Sequence, residues 1–184
     1  MSEIKKLPAL VWLDLEMSGL DPNSERIIEI ATVVTNSDLE EIIEGPNLVI
    51  RQDQEFINGM DEWNFSHHRD SGLIDCLKVT QISETEAERQ TLDFLRKHIQ
   101  KGKSPLCGNS ISHDRRFLVR YMPELANFFH YRNIDVSSIK ELVKRWQPEL
   151  LEGFVKKGAH RAMADVYESI DELKFYKEHF FNNN

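Results

Sequence analysis

The chain of 184 residues holds two cysteines, six prolines and eight glycines, and it contains no long hydrophobic run. Each scarcity removes a class of protein. Cys76 and Cys107 supply neither a disulfide framework nor the paired spacing of a zinc site, and they read as two small core residues in a reducing compartment. No apolar stretch approaches the ~18 residues of a membrane span. The run after Lys5 and Lys6 stops at Asp14 and lacks a small-residue cleavage site, so it does not read as a signal peptide. Cytoplasm is the expected location.

Positive charge is also short. Twenty-three Lys and Arg against 31 Asp and Glu leave a net charge of −8. Proteins that hold long nucleic acid by bulk electrostatics are usually basic. The expectation is no membrane and no long duplex nucleic acid as partner; an anionic substrate must be short or held at a local site. Repeats and linkers are missing as well, and low complexity is confined to Asn182, Asn183 and Asn184. At 40% hydrophobic and 29% charged, the composition is that of an ordinary globular protein. The length suits one core, and a single domain over residues 1–184 is expected.

What is present alternates strand and helix signals. "ALVWLDLEM" and "RIIEIATVVT" are apolar, β-branched runs joined through turn residues Gly19, Pro22 and Asn23. "LEEIIEGPNLVIR" reads as a third strand entered from "TNSD". A short helix bounded by glycines is expected in "GMDEWNFSHHRDSGL". Ser83 and Glu86 have capping-box spacing. They open a helix with Ala87, Gln90, Thr91, Phe94, Leu95 and Ile99 on one stripe and Gly102 as its stop. "SPLCGNS" suggests a strand and loop, and "SHDRRFLVRYMPEL" one helix with Phe117, Leu118 and Tyr121 inward. "YRNIDVSS" suggests a short strand, and "SIKELVKRW" a helix ended by Pro148. The last helix is predicted from about His160 to Phe181, with Val166, Ile170, Leu173 and Phe180 on one face. Early strands in meander order followed by alternation indicate an α/β fold, a mixed β-sheet flanked by α-helices.

Inside the first apolar run stand Asp14 and Glu16. Positions two apart in a strand point to the same face, so the two carboxylates project together and repel unless protonated or bridged by cations. An edge strand with solvated acids, or ion pairs to Arg26, would also produce this pattern. Asp114 lies just past a strand and near the start of a helix, a usual place for a site residue in α/β folds, although a helix dipole favours an acid there too. Asp165 follows His160 by five residues, about 140° around a helix. The two converge only if His160 sits on the entering loop, which Gly158 permits. Four acids and a histidine on four elements suggest a metal-dependent hydrolase, and no more.

"WLDLEMSGLDP", "CGNSISHDRRFL", "YMPEL", "FHYRNIDVSS" and "GAHRAMADVYESIDEL" together resemble the oligoribonucleases, of the DEDDh group of 3′-to-5′ exonucleases. The resemblance runs in order from about Leu10 to Phe180 and implies a ribonuclease H-like fold. It makes Asp14, Glu16, Asp114 and Asp165 the metal-binding carboxylates and His160 the general base. Family members often carry a second acid beside the last aspartate; here that neighbour is Ala164, so Asp165 alone fills the role.

The implied cofactors are two divalent cations, Mg²⁺ or Mn²⁺, whose +4 balances four carboxylates. Hard cations suit oxygen ligands, and two of them about 4 Å apart stabilise attacking and leaving oxygens. An imidazole, with an ordinary pKa of about 6.5, can accept a proton at neutral pH. The resemblance further assigns Leu20 as a wedge against the bases and Trp63 as a stacking platform. Ser110, Arg132, Ser137 and His68 would close around the 5′ phosphate of a very short single-stranded RNA. Tyr131 would come from the partner subunit of a homodimer. Two other readings stand beside it. An aspartyl-phosphate phosphatase leaves His160 and Asp165 without a task, and a nucleotide-binding module with a dead site sits poorly with five filled catalytic positions.

Overall fold

The computed structural model describes residues 7–155, 158 and 160–181. Three strands come first: β1 (Leu10–Met17), β2 (Ile27–Thr35) and β3 (Ile42–Val49). Four helices follow: α1 (Gln54–Asn58), α2 (Glu62–Asp70), α3 (Leu73–Val79) and α4 (Glu84–His98). The second half alternates β4 (Leu106–Gly108), α5 (Ile111–Tyr121), α6 (Pro123–Ala126), β5 (Asn133–Asp135) and α7 (Val136–Trp146). A 3₁₀ segment (Pro148–Gly153) leads to α8 (Ala162–Tyr176), which runs out through a π turn (Lys177–Phe181).

The strands form one mixed sheet in the order β3-β2-β1-β4-β5. β1 pairs antiparallel with β2 and parallel with β4, and β5 extends the parallel half. The expected α/β class is what the structure shows.

The alternation along β1 divides the core. Val11, Leu13 and Leu15 face Phe117, Leu118 and Leu95 of α5 and α4. Trp12 faces the other way, onto Val166, Ile170 and Tyr176 of α8 and its end. Leu173 and Phe180 pack against that second cluster, as their spacing predicts. β2 is buried at all nine positions, as expected of a strand covered on both faces. Cys107 is buried and Cys76 half-buried, both free.

Several boundaries differ from expectation. α1 and α3 are short helices that sequence periodicity does not reveal. "SHDRRFLVRYMPEL" is two helices, because Met122 leaves helical geometry at φ −135° ahead of Pro123, as the residue before proline tends to do. The long helix stops at His98, four residues before Gly102 at φ +74°. Ser83 Oγ accepts from the Glu86 N–H at 3.2 Å as foreseen. The reciprocal half of the box is missing, since Glu86 turns to Arg89 and Gln90. The last helix begins at Ala162, which leaves His160 on the loop before it.

Candidate active site

The site lies where the parallel strands β1 and β4 end and the helices after β4 and before the C-terminus begin. Asp14 and Glu16 occupy the last turns of the pleat of β1 on the α8 side, beside a β-bulge between Glu16 and Met17. Asp165, in the first turn of α8, completes a group in which one carboxylate oxygen from each of the three lies within 4.8 Å of the others. Arg26, the possible partner of the pair, is engaged elsewhere: its guanidinium donates to Tyr121 Oη at 2.6 Å and lies over Phe56.

Asp114 stands beside this group. It is 5% exposed, and its Oδ1 accepts the Leu15 N–H at 3.0 Å. β1 and β4 approach so closely here that a Cβ on Gly108 would sit 2.8 Å from the Leu13 carbonyl oxygen. That approach is what delivers Asp114 to the end of β1.

The carboxylates carry the electrostatic mark of a site. Burial, then the charges of Asp114, Glu16 and Asp165, hold Asp14 well above the usual carboxylate range. Glu16 is pushed up to about 8 by burial first and then by Asp165, Glu29 and Asp114. Burial also raises Asp114 to about 7, against the lowering effect of the Leu15 N–H. Oxygen-only donors that resist ionising beside one another fit hard divalent cations. The donor set therefore suits the implied metal.

His160 and Asp165 line one pocket of about 410 Å³ with Asp14, Glu16, His67, Asn109 and Glu168. His160 has φ +49° and Gly158 φ +61°, the left-handed backbone that turns the loop into the helix. Two anchors hold that loop. Glu168 accepts the Gly158 N–H at 2.9 Å. Arg161, the next residue, donates to both oxygens of Glu29 at 2.7–3.2 Å. The same carboxylate accepts the Ala162 N–H at 3.1 Å, so Glu29 caps α8 from across the sheet.

The other expected positions fall in three places. Ser110 and Ser137 meet, hydroxyl to hydroxyl at 3.1 Å, and the Ser110 N–H donates to Ser137 Oγ and Asp135 Oδ1. Ser137 donates to Asn109, whose amide reaches Ser169 and Glu172 on α8. Leu20, Trp63 and Tyr131 are exposed at 75%, 69% and 74%, and Arg132 lies over the Tyr131 ring at 5.3 Å. His68 sits deeper than these. Its ring is 2% exposed and sits behind Glu16, with Nε2 2.9 Å from the Met17 carbonyl oxygen.

Residues 11–173 match a family model described as Exonuclease. An oligoribonuclease of Paraburkholderia xenovorans is 59% identical over 93% of this chain and 83% of that protein. One from Haemophilus influenzae is 56% identical over 93% and 94%.

The chain belongs to the oligoribonuclease family.

As a member it is a nuclease, a hydrolase of phosphodiester bonds. Solved structures agree at the level of fold. Exonuclease I of E. coli, in complex with a dT13 oligonucleotide, superposes with TM-score 0.67 at 17% identity over 92% of this chain. The chain spans 41% of that protein. S. pombe Pop2p, in its Mg²⁺- and Mn²⁺-bound form, gives 0.71 at 11% identity over 95% and 85%.

Sequence reasoning passed over Glu29, Arg161 and His67 in this family member. A signal for Glu29 was available, since an acid inside "IIEIATVV" poses the same question as the pair in β1. No sequence signal points from Glu29 to Arg161.

Proposed function

We propose that this 3′-to-5′ exoribonuclease, acting as one domain, hydrolyses very short RNA, dinucleotides above all, to 5′-mononucleotides. Two divalent cations, Mg²⁺ or Mn²⁺, would be held by Asp14, Glu16, Asp114 and Asp165. The supporting observation is the convergence of three half-buried carboxylates with His160 in one pocket of small-ligand size. When bound, such cations supply positive charge at the scissile phosphate and lower the pKa of a water. His160, on the rim of the pocket, takes the proton of the attacking water. Asp14 and Glu16, fixed on a sheet strand, orient the site without rearranging. Trp63 stacks on a base, a contact indifferent to sequence, and Leu20 wedges from the turn after β1. The hydroxyls of Ser110 and Ser137 and the guanidinium of Arg132 close around the 5′ phosphate. Tyr131, exposed at the surface, serves the second subunit of a homodimer. The described residues include no helix long and apolar enough to cross a membrane, and the enzyme is read as cytoplasmic.

Rates on 5′-phosphorylated RNAs of two to ten nucleotides test this reading. Turnover should be greatest for the dinucleotide and should need a divalent cation. Binding that neutralises Z phosphates on a single strand gives a log–log salt slope of about −0.7Z, so a dinucleotide should show no more than about −1.5. Affinity rising steadily with length, and a steepening slope, would mean an open groove.

A further inference from the structure

His67 has none of the roles given above, yet it stands between the base platform and the catalytic histidine. It follows Trp63 by four positions on α2, so the two side chains share a helix face. Their rings lie 4.7 Å apart and 17° from parallel. On its other side the His67 ring meets His160, with centroids 4.0 Å apart and a tilt of 55°. An edge contact to His68 at 5.7 Å braces it from its own helix. His67 also lines both the carboxylate pocket and the adjoining hollow beneath Trp63.

His160 needs such a partner. The bonds from Gly158 to Glu168 and from Arg161 to Glu29 fix the backbone on either side of it, but neither touches its ring. A ring on an exposed loop samples several rotamers. Among the described residues, the aromatic ring that meets His160 is that of His67. Burial, then the facing His160 imidazole, hold the His67 pKa below the usual imidazole range.

We infer that His67 is a positioning residue whose ring, clamped by Trp63, orients the His160 imidazole at the carboxylate pocket. A base stacked on Trp63 then steadies the catalytic histidine through a column of rings. The inference rests on the proposed roles of His160 as base and Trp63 as platform, and it deepens them.

The test compares His67→Ala, His67→Phe and His160→Ala in the full-length protein on a 5′-phosphorylated dinucleotide, alongside the ring NMR signals of His160. His160→Ala should lose orders of magnitude in turnover. His67→Ala should lower kcat about two- to tenfold, the range of a lost ring–ring contact, with KM nearly unchanged. His67→Phe, which keeps a ring and loses its nitrogens, should restore kcat. The His160 ring signals should move in His67→Ala and return towards their wild-type positions in His67→Phe. A raised KM with unchanged kcat in His67→Ala would make His67 a substrate contact and overturn the inference. So would a phenylalanine variant as slow as the alanine one, or His160 signals indifferent to both. Wild-type turnover in His160→Ala would instead sink the assignment of the base, while the NMR signals would still judge the packing.

Discussion

Glu16 and Glu29 face each other across β1 and β2, and the protein treats them in opposite ways. Glu29 is 0% exposed, with three contacts to Arg161 and a fourth to the Ala162 N–H. Glu16 has, among the described residues, only His68 at ion-pair distance, 3.8 Å away, and burial holds that ring below the usual imidazole range. The charge of Arg161, engaged with Glu29, lowers the Glu16 pKa less than burial and the surrounding acids raise it. Burial alone therefore does not mark a site. A buried carboxylate balanced by the chain itself is architecture; one left among other acids is waiting for charge from outside.

The largest effect should come from the unbalanced side. Asp14→Ala or Asp165→Ala should lower turnover at least about a thousandfold, the scale of several kcal/mol of lost charge stabilisation. The metal-free variants should stay folded and melt no lower than the wild type, because repulsion among the acids is relieved. Turnover near the wild-type rate in a folded Asp165→Ala would remove the carboxylates from the chemistry.

The balanced side should respond in stability first. Arg161→Met strands the Glu29 charge in the core and should cost about 3 kcal/mol, the low end for a broken buried pair, since Arg161 keeps 30% of its side chain exposed. Urea unfolding measures this. Adding Glu29→Leu should recover most of the loss. If the double variant is no more stable than the single one, the latch works by shape and not by charge.

A third comparison uses pH on the metal-free protein. The folded-state pKa of Glu16 lies at about 8 against an ordinary 4.5, and that of Asp114 at about 7 against 3.8. The fold thus favours the protonated forms, so stability is greatest below the unfolded values and falls as pH climbs towards 8. Thermal unfolding in chelator should show a loss of about 1–2 kcal/mol from pH 5 to pH 8, allowing for water in the open pocket. Glu16→Gln should flatten this slope, and Mg²⁺ or Mn²⁺ should restore stability most at the higher pH. A metal-free protein that gains stability across that range would contradict the shifts.

Much of this contrast could be read before any coordinates. The period of two put Asp14 and Glu16 on one face, and the glycine before His160 allowed the loop that lets it approach Asp165. The mixed sheet followed from a meander giving way to alternation. The missed features are of two kinds. Some are local and outweighed by neighbours: Pro123 signalled the break at Met122, and the seven residues of α3 are too few for a period to show. Others are non-local. Glu29 and Arg161 are 132 residues apart, and His67 meets His160 only because α2 and the loop before α8 converge in space.

The central place of β1 also sets when the enzyme can cut. Its second neighbour, β4, leaves the ribosome only after four intervening helices, and the contacts that gather the acids span 99 residues to Asp114 and 133 to the α8 cap. Such distant closures come late in folding, and domains fold as units during synthesis. A growing chain therefore carries Asp14 and Glu16 through most of translation as a strand with one open edge, without the residues that complete their site. The site closes only when α8 has been made and its cap has found Glu29.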